Sequence, residues 1–183
     1  ISLREKALPP EARGELAREL VAIGRAFGAT IMVHGDVDAA KAAGARGVHV
    51  ASASLVREAR RALGDRALVG VSAHSRSDII AASAVSADYV TLSPVFVSQS
   101  KPGYGPLLGL ERFQEMISGR HIPVLALGGI TEARAASCMA AGAAGIAVMG
   151  DVMRASSPKS IAAAFIETLR PGSTPYLSSR KLA

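Results

Sequence analysis

Short apolar runs alternate with longer amphipathic ones along the whole chain. The short runs span 1–4, 30–33, 47–50, 67–71, 89–92, 123–127 and 145–149. Several are β-branched and nearly continuous in apolarity, the signature of strands covered on both faces of a parallel sheet. The stretches between them predict helices. Residues 11–27 place Leu16, Leu20, Ile23 and Phe27 on one face, follow a proline pair and stop at Gly28. Residues 54–63 repeat the pattern with Leu55, Ala59 and Ala62 and end at Gly64. Leu110, Phe113 and Ile117 form a third stripe. An Ala-rich helix over 131–141 ends at Gly142, and Ile161, Phe165 and Leu169 mark the last one.

Strand and helix therefore alternate about seven times, which implies α/β architecture with a parallel sheet and right-handed crossovers. A doubly wound dinucleotide fold would carry Gly-x-Gly-x-x-Gly after its first strand, and no strand here leads into that motif. The better match is a (β/α)8 TIM barrel, which typically needs around 250 residues. The chain comes out one unit short. The expectation is a barrel whose first strand–helix unit is missing from this chain, with one domain over 1–170 and a C-terminal tail over 171–183.

Composition narrows the classes. With 183 residues, 49% hydrophobic and 20% charged, the chain can bury a sizeable core and is not compositionally disordered. No run approaches the ~18 apolar residues of a membrane-spanning helix. The single cysteine, Cys138, excludes a disulfide framework and a cysteine-rich zinc site and reads as a core residue of its Ala-rich helix. A cytoplasmic setting is the default expectation. A net charge of +6 raises nucleic acid as a partner, but the cations are scattered and there is no tryptophan and no aromatic cluster to stack bases. The basic balance fits small anionic ligands better. Neither a nucleic acid nor a membrane is expected as a partner, and a homo-oligomer is left open.

In a barrel the chemistry sits at the C-terminal ends of the strands, with phosphate often held by the loops after strands seven and eight. Counting residue 1 as the start of strand two, those loops carry Gly128-Gly129 and Met149-Gly150, each at a helix start where bare backbone N–H groups suit an anion. The long loop over 93–108 holds Ser98, Ser100 and Lys101 among glycines and prolines, a composition suited to a phosphate or diphosphate. Arg4 and Lys6 close the first run. His34, His49 and His74 lie near successive strand ends, but none shows metal-ligand spacing, so no metal site is expected from the residues alone. Ser72 and His74 share a strand face if that strand persists. No Gly-x-Ser-x-Gly elbow marks a nucleophile. Asp36 is placed to cap the following helix.

The ordered set Leu3-Arg4-Glu5-Lys6, Gly47-Val48-His49, Gly70-Val71-Ser72-Ala73-His74, Ala87-Asp88-Tyr89-Val90, Pro94-Val95-Phe96, Ser100-Lys101-Pro102, Gly128-Gly129-Ile130-Thr131 and Gly145-Ile146-Ala147-Val148-Met149 resembles the thiamin phosphate synthase/TenI family, from residue 1 to about 153. The resemblance implies a (β/α)8 barrel. For the synthase branch it implies coupling of an aminopyrimidine methyl diphosphate to thiazole phosphate, with Mg²⁺ on the diphosphate. It also implies roles: Arg4, Lys6 and Lys101 as diphosphate cations, and His49 and Ser72 beside the pyrimidine. Ser98, Ser100, Gly128, Gly129, Met149 and Gly150 fall around the thiazole phosphate.

The chain departs from the synthase pattern where that branch has glutamine (Ser2), Asn-Asp (His34-Gly35) and a second aspartate (Ser54). The two aspartates are the implied magnesium ligands. At these positions the chain is closer to the TenI branch, which binds thiazole phosphate and in some members isomerises it. The histidine used there falls at Pro94 here, leaving His34 and His74, with Lys101, as candidate catalytic residues. The preferred expectation is a TenI-like handler or isomerase of thiazole phosphate, to which no cofactor is assigned. The alternatives are a synthase, with Mg²⁺, and a non-catalytic thiazole-phosphate binding or regulatory protein.

Overall fold

The computed structural model describes residues 1–99, 103 and 105–170. Among them are seven strands, β1 (Ser2–Leu3), β2 (Met32–His34), β3 (Gly47–Val50), β4 (Leu68–Ala73), β5 (Tyr89–Leu92), β6 (Val124–Leu127) and β7 (Gly145–Ala147). The helices are α1 (Pro10–Ala26), α2 (Val37–Ala43), α3 (Val56–Leu63), α4 (Arg76–Ala84), α5 (Gly109–Ile117), α6 (Glu132–Ala140), α7 (Gly150–Arg154) and α8 (Pro158–Thr168). The strands follow one another in chain order in the sheet. The α/β class and the strand–helix alternation agree with the sequence pattern, but the described residues supply seven strands rather than a complete (β/α)8 set. The tail over 171–183 lies outside the described residues.

The described residues pack as two compact units, Ile1–Ala73 with Ser77–Val90, and His74–Arg76 with those from Thr91 to Arg170. In the first, β1 to β4 pair in parallel, with Met32 beside Gly47, His34 beside His49 and His49 beside Gly70. All four β3 residues are buried. Val33, Val48, Val50, Val69, Val71 and Ile79 are almost fully buried and form the core. Each such side chain contributes about 1.5–3 kcal/mol by leaving water.

The buried face of α1 differs from the predicted stripe. Ile23 and Phe27 are 57% and 82% exposed, whereas Gly14, Ala17, Val21 and Gly24 are buried. Small residues let the helix approach closely: a Cβ on Gly24 would stand 2.6 Å from Ile31 Cγ1 and 2.8 Å from the Ala29 carbonyl oxygen. At the start of α2, Asp36 is the cap the sequence suggested. Its Oδ1 accepts from the Ala39 N–H at 2.9 Å, and its Oδ2 pairs with Arg13 at 2.6 Å.

A second polar clamp aligns β4 with the start of β5. Asp88 Oδ2 accepts from the Val69 N–H and from Arg60, both at 2.7 Å, while Arg60 also donates to the Ala67 and Ser86 carbonyls. Both side chains are largely buried. Asp88→Ala strips one partner from a buried cation and from a backbone N–H, and it is expected to lower stability by about 3 kcal/mol. A chemical-denaturation midpoint measures this, and Asp88→Asn is expected to recover part of the loss.

In the second unit, β6 and β7 pair in parallel, Leu127 beside Ala147. Cys138 is fully buried on α6, as its Ala-rich setting suggested, beside a core that includes Phe113, Val124, Ala126, Ala135 and Phe165.

Candidate functional site

The first unit builds a row of polar side chains across its strands. His34 and His49 are register partners in a parallel pair, so their side chains leave the same face. Their rings stack with centroids 5.1 Å apart. On the next strand Gly70 stands opposite His49, and its missing Cβ leaves the space that the Tyr89 ring fills. Ser72, two residues on, returns to that face. Its Oγ lies 3.0 Å from His49 Nε2, and the Tyr89 hydroxyl lies 3.1 Å from His49 Nδ1. The Tyr89 hydroxyl also donates to Met32 Sδ at 3.4 Å.

One proton assignment uses all three contacts. Tyr89 gives its proton to the sulfur, His49 Nδ1–H donates to the Tyr89 oxygen, and Ser72 donates to His49 Nε2. His49 is buried. Burial, and after it the charge of neighbouring His34, lowers its pKa from 6.5 to about 4. Burial, and after it Asp88, pushes the Tyr89 phenol up to about 12. Near neutral pH the His49–Tyr89–Ser72 network is therefore uncharged and fully hydrogen-bonded. It can orient a neutral, flat, nitrogen-bearing ring, and it cannot serve as a cationic anchor for a phosphate.

The same shift gives a pH signature. Between pH 6.5 and 4 the unfolded chain takes up a proton at His49 that the folded chain refuses. The stabilisation from a neutral His49 is complete above pH 6.5 and is lost as pH falls towards 4, a loss of about 3 kcal/mol. Urea midpoints across this window are expected to fall with pH in the native protein and to fall less steeply in His49→Gln.

Arg4 and Lys6 are exposed just past β1. Among the described residues neither shows an ion pair, so both are available to an anionic ligand. β4 ends at Ala73, so the strand does not persist to His74 and the shared strand face expected for Ser72 and His74 does not form. His74 Nδ1–H instead donates to the Ser93 carbonyl at 2.8 Å.

In the second unit the loop after β5 runs along the end of β6. Val95 N–H donates to Leu127 and Phe96 N–H to Gly128, both at 3.0 Å. Gly128 and Gly129 have φ of +101° and +62°. A Cβ on Gly129 would run into the Val97 carbonyl oxygen and Phe96. These glycines thus serve close packing of the loop as well as an open backbone. Arg134 donates to the Gly129 carbonyl at 2.8 Å and stacks 4.7 Å from the Phe96 ring centre. The register of β6 and β7 sends the Gly128–Gly129 and Met149–Gly150 segments out from the same end of the paired strands. The N-cap residues of α6 and α7, Thr131 and Met149, make no side-chain cap hydrogen bond. Ser98 is half-buried. Ser100 and Lys101 lie outside the described residues.

The structure thus gathers His34, His49 and Ser72 and adds Tyr89 and Met32, to which the sequence gives no site role. The signal for Tyr89 was Gly70, whose importance shows only once the strand register places it opposite His49.

The profile of a family described as thiamine monophosphate synthase matches residues 1–152. The chain is 39% identical over 178 residues to a thiamine-phosphate synthase of Geobacillus kaustophilus, covering 93% of this chain and 79% of the relative. It is 38% identical over 165 residues to a thiamine-phosphate synthase of Methanoregula boonei, covering 90% and 76%. A solved structure described as a thiamine phosphate pyrophosphorylase from Pyrococcus furiosus superposes with a TM-score of 0.78 at 26% identity, covering 93% of this chain and 84% of that one.

The magnesium ion implied by the resemblance can be tested against the residues. Asp36 has both carboxylate oxygens engaged, one by the α2 amide and one by Arg13. Ser52 and Ser54 bond to each other at 2.8 Å. Among the described residues no three of His, Cys, Asp and Glu gather to hold a metal. These residues do not fit a protein-built magnesium site.

Proposed function

Because the chain belongs to the thiamine monophosphate synthase family, we propose that it couples an aminopyrimidine methyl diphosphate to thiazole phosphate. The relatives named as synthases favour this reading over the TenI-like isomerase that the metal-ligand positions suggested. The observation that carries it is the neutral His49–Ser72–Tyr89 network, which suits an uncharged pyrimidine ring.

In the reaction the bond between the pyrimidine CH₂ carbon and the diphosphate oxygen breaks, and its electron pair leaves with the diphosphate. The thiazole nitrogen lone pair then forms the new C–N bond, giving thiamine phosphate and free diphosphate. No general base is consumed, so a neutral His49 is no handicap. Ser72, oriented by His49, offers its oxygen as an acceptor to the pyrimidine, and His34 backs His49 by stacking. Arg4, Lys6 and Lys101 meet the charge that develops on the leaving group, the kind of fixed electrostatic stabilisation that dominates many enzyme rates. Ser98, Ser100 and the backbone of Gly128, Gly129, Met149 and Gly150 receive the thiazole phosphate, and His74 borders that loop through Ser93.

A second reading, handling of thiazole phosphate alone, draws on His34-Gly35 and Ser54 at the metal-ligand positions. Incubating the protein with thiazole phosphate, alone and with the pyrimidine diphosphate and Mg²⁺, separates the two by proton NMR. The synthase reading expects product only when both substrates are present. A rearranged thiazole without the pyrimidine would overturn it.

Among the described residues no helix is long and apolar enough to cross a membrane.

A further inference from the structure

We infer that a cleft at the C-terminal ends of α1, α2 and α3 binds a compact polyanion carrying two or more phosphate-type charges. The cleft encloses about 590 Å³ and lies wholly within the first unit. That volume is within the range of small-molecule sites. Arg25, Lys41, Arg46 and Arg66 line it, and no aspartate or glutamate does. The ion pairs among the described residues are Arg13–Asp36, Arg60–Asp88 and Arg170–Glu167, so none of the four lining cations has a carboxylate partner. One of them is held in place, and another lies against the α2 C-cap. Arg46 donates to the Arg66 carbonyl at 2.7 Å, and the Arg25 guanidinium stands 3.3 Å from where a Cβ on Gly44 would be.

Cations near helix C-termini commonly offset the helix dipoles. Here that explanation falls short in magnitude. Three helix ends carry about half a negative charge each, against four full positive charges. More than two charges remain uncompensated by the helix ends around one concavity. All four side chains are exposed, so water and salt screen part of their repulsion, and a multiply charged anion would neutralise the rest at one place. Ile31 and Leu63 give the floor an apolar part.

The location separates this cleft from the histidine row. Ile31, Arg46 and Ala67 immediately precede β2, β3 and β4, whereas His34 and Ser72 stand at or near the far ends of those strands. The four residues of β3 put about 10 Å or more between the two. The inference therefore stands on its own observations and does not depend on the proposed coupling reaction.

The test is a titration of the isotope-labelled full chain with inorganic pyrophosphate, followed by amide chemical shifts. Saturable shifts are expected at Gly28, Gly44, Ala45 and Ala67. Lys41→Glu combined with Arg66→Glu is expected to weaken that binding about tenfold or more, while Lys41→Arg combined with Arg66→Lys retains it. Lys41→Glu alone changes an exposed side chain and keeps the test valid if the double variant does not fold. Shifts confined to the segments around Gly129 and Gly150, or unchanged affinity in the charge-reversed protein, would overturn the inference.

Discussion

Gly70→Ala is expected to lower stability by about 3 kcal/mol, at the upper end for overpacking, and to reduce coupling activity by two orders of magnitude or more. The added Cβ would fall within the Tyr89 ring. Since Gly70 lies in a paired strand, the ring must give way. His49 then loses its Nδ1 partner and, with it, the hydrogen bond that fixes its tautomer. Pairing the change with Tyr89→Leu is expected to return part of the stability without the activity, because space is restored but the hydroxyl is not. Denaturation midpoints and initial rates on the single and double variants measure both effects. An alanine at 70 that leaves the rate intact would remove the His49–Tyr89 contact from the account.

Gly129→Ala is expected to be nearly as damaging, through the other unit. Its φ of +62° disfavours any side chain, and the new Cβ would press on the Val97 carbonyl and Phe96. The backbone there must shift, at a cost of about 2–4 kcal/mol, and the loop proposed to hold the thiazole phosphate shifts with it. The expected kinetic result is a rise in the thiazole phosphate KM of tenfold or more. Gly64→Ala provides the control. It has φ +85° but nothing within 4 Å of its Cβ, so it carries only the conformational cost of about 1 kcal/mol and no kinetic effect.

The strands were legible because a strand buried on both faces is a nearly unbroken β-branched run, and 47–50 and 89–92 match the observed β3 and β5 residue for residue. Asp36 was legible as a cap because capping is local. The packing face of α1 was not. Counting large apolar residues selects Ile23 and Phe27, while the helix packs through glycine and alanine, whose contribution is closeness rather than area. The short helices α2 and α4 have no broad apolar stripe and were implied only by the alternation. At the site, His34, His49 and Ser72 were found because they stand at or near strand ends. What joins them is register. A sequence does not state that His34 lies beside His49, or that Gly70 makes room for Tyr89. The family resemblance placed its magnesium ligands at positions that hold Gly35 and Ser54 here, and the neighbouring Asp36 is committed to α2 and Arg13.

The proposed reaction forms a carbon–nitrogen bond at the expense of a diphosphate ester. Phosphorus NMR of the purified protein with both substrates and Mg²⁺ follows every phosphate in the reaction at once. The account predicts loss of the pyrimidine diphosphate signals with one equivalent of free diphosphate appearing for each thiamine phosphate formed. Unchanged substrate signals from protein that is folded and binds thiazole phosphate would contradict it.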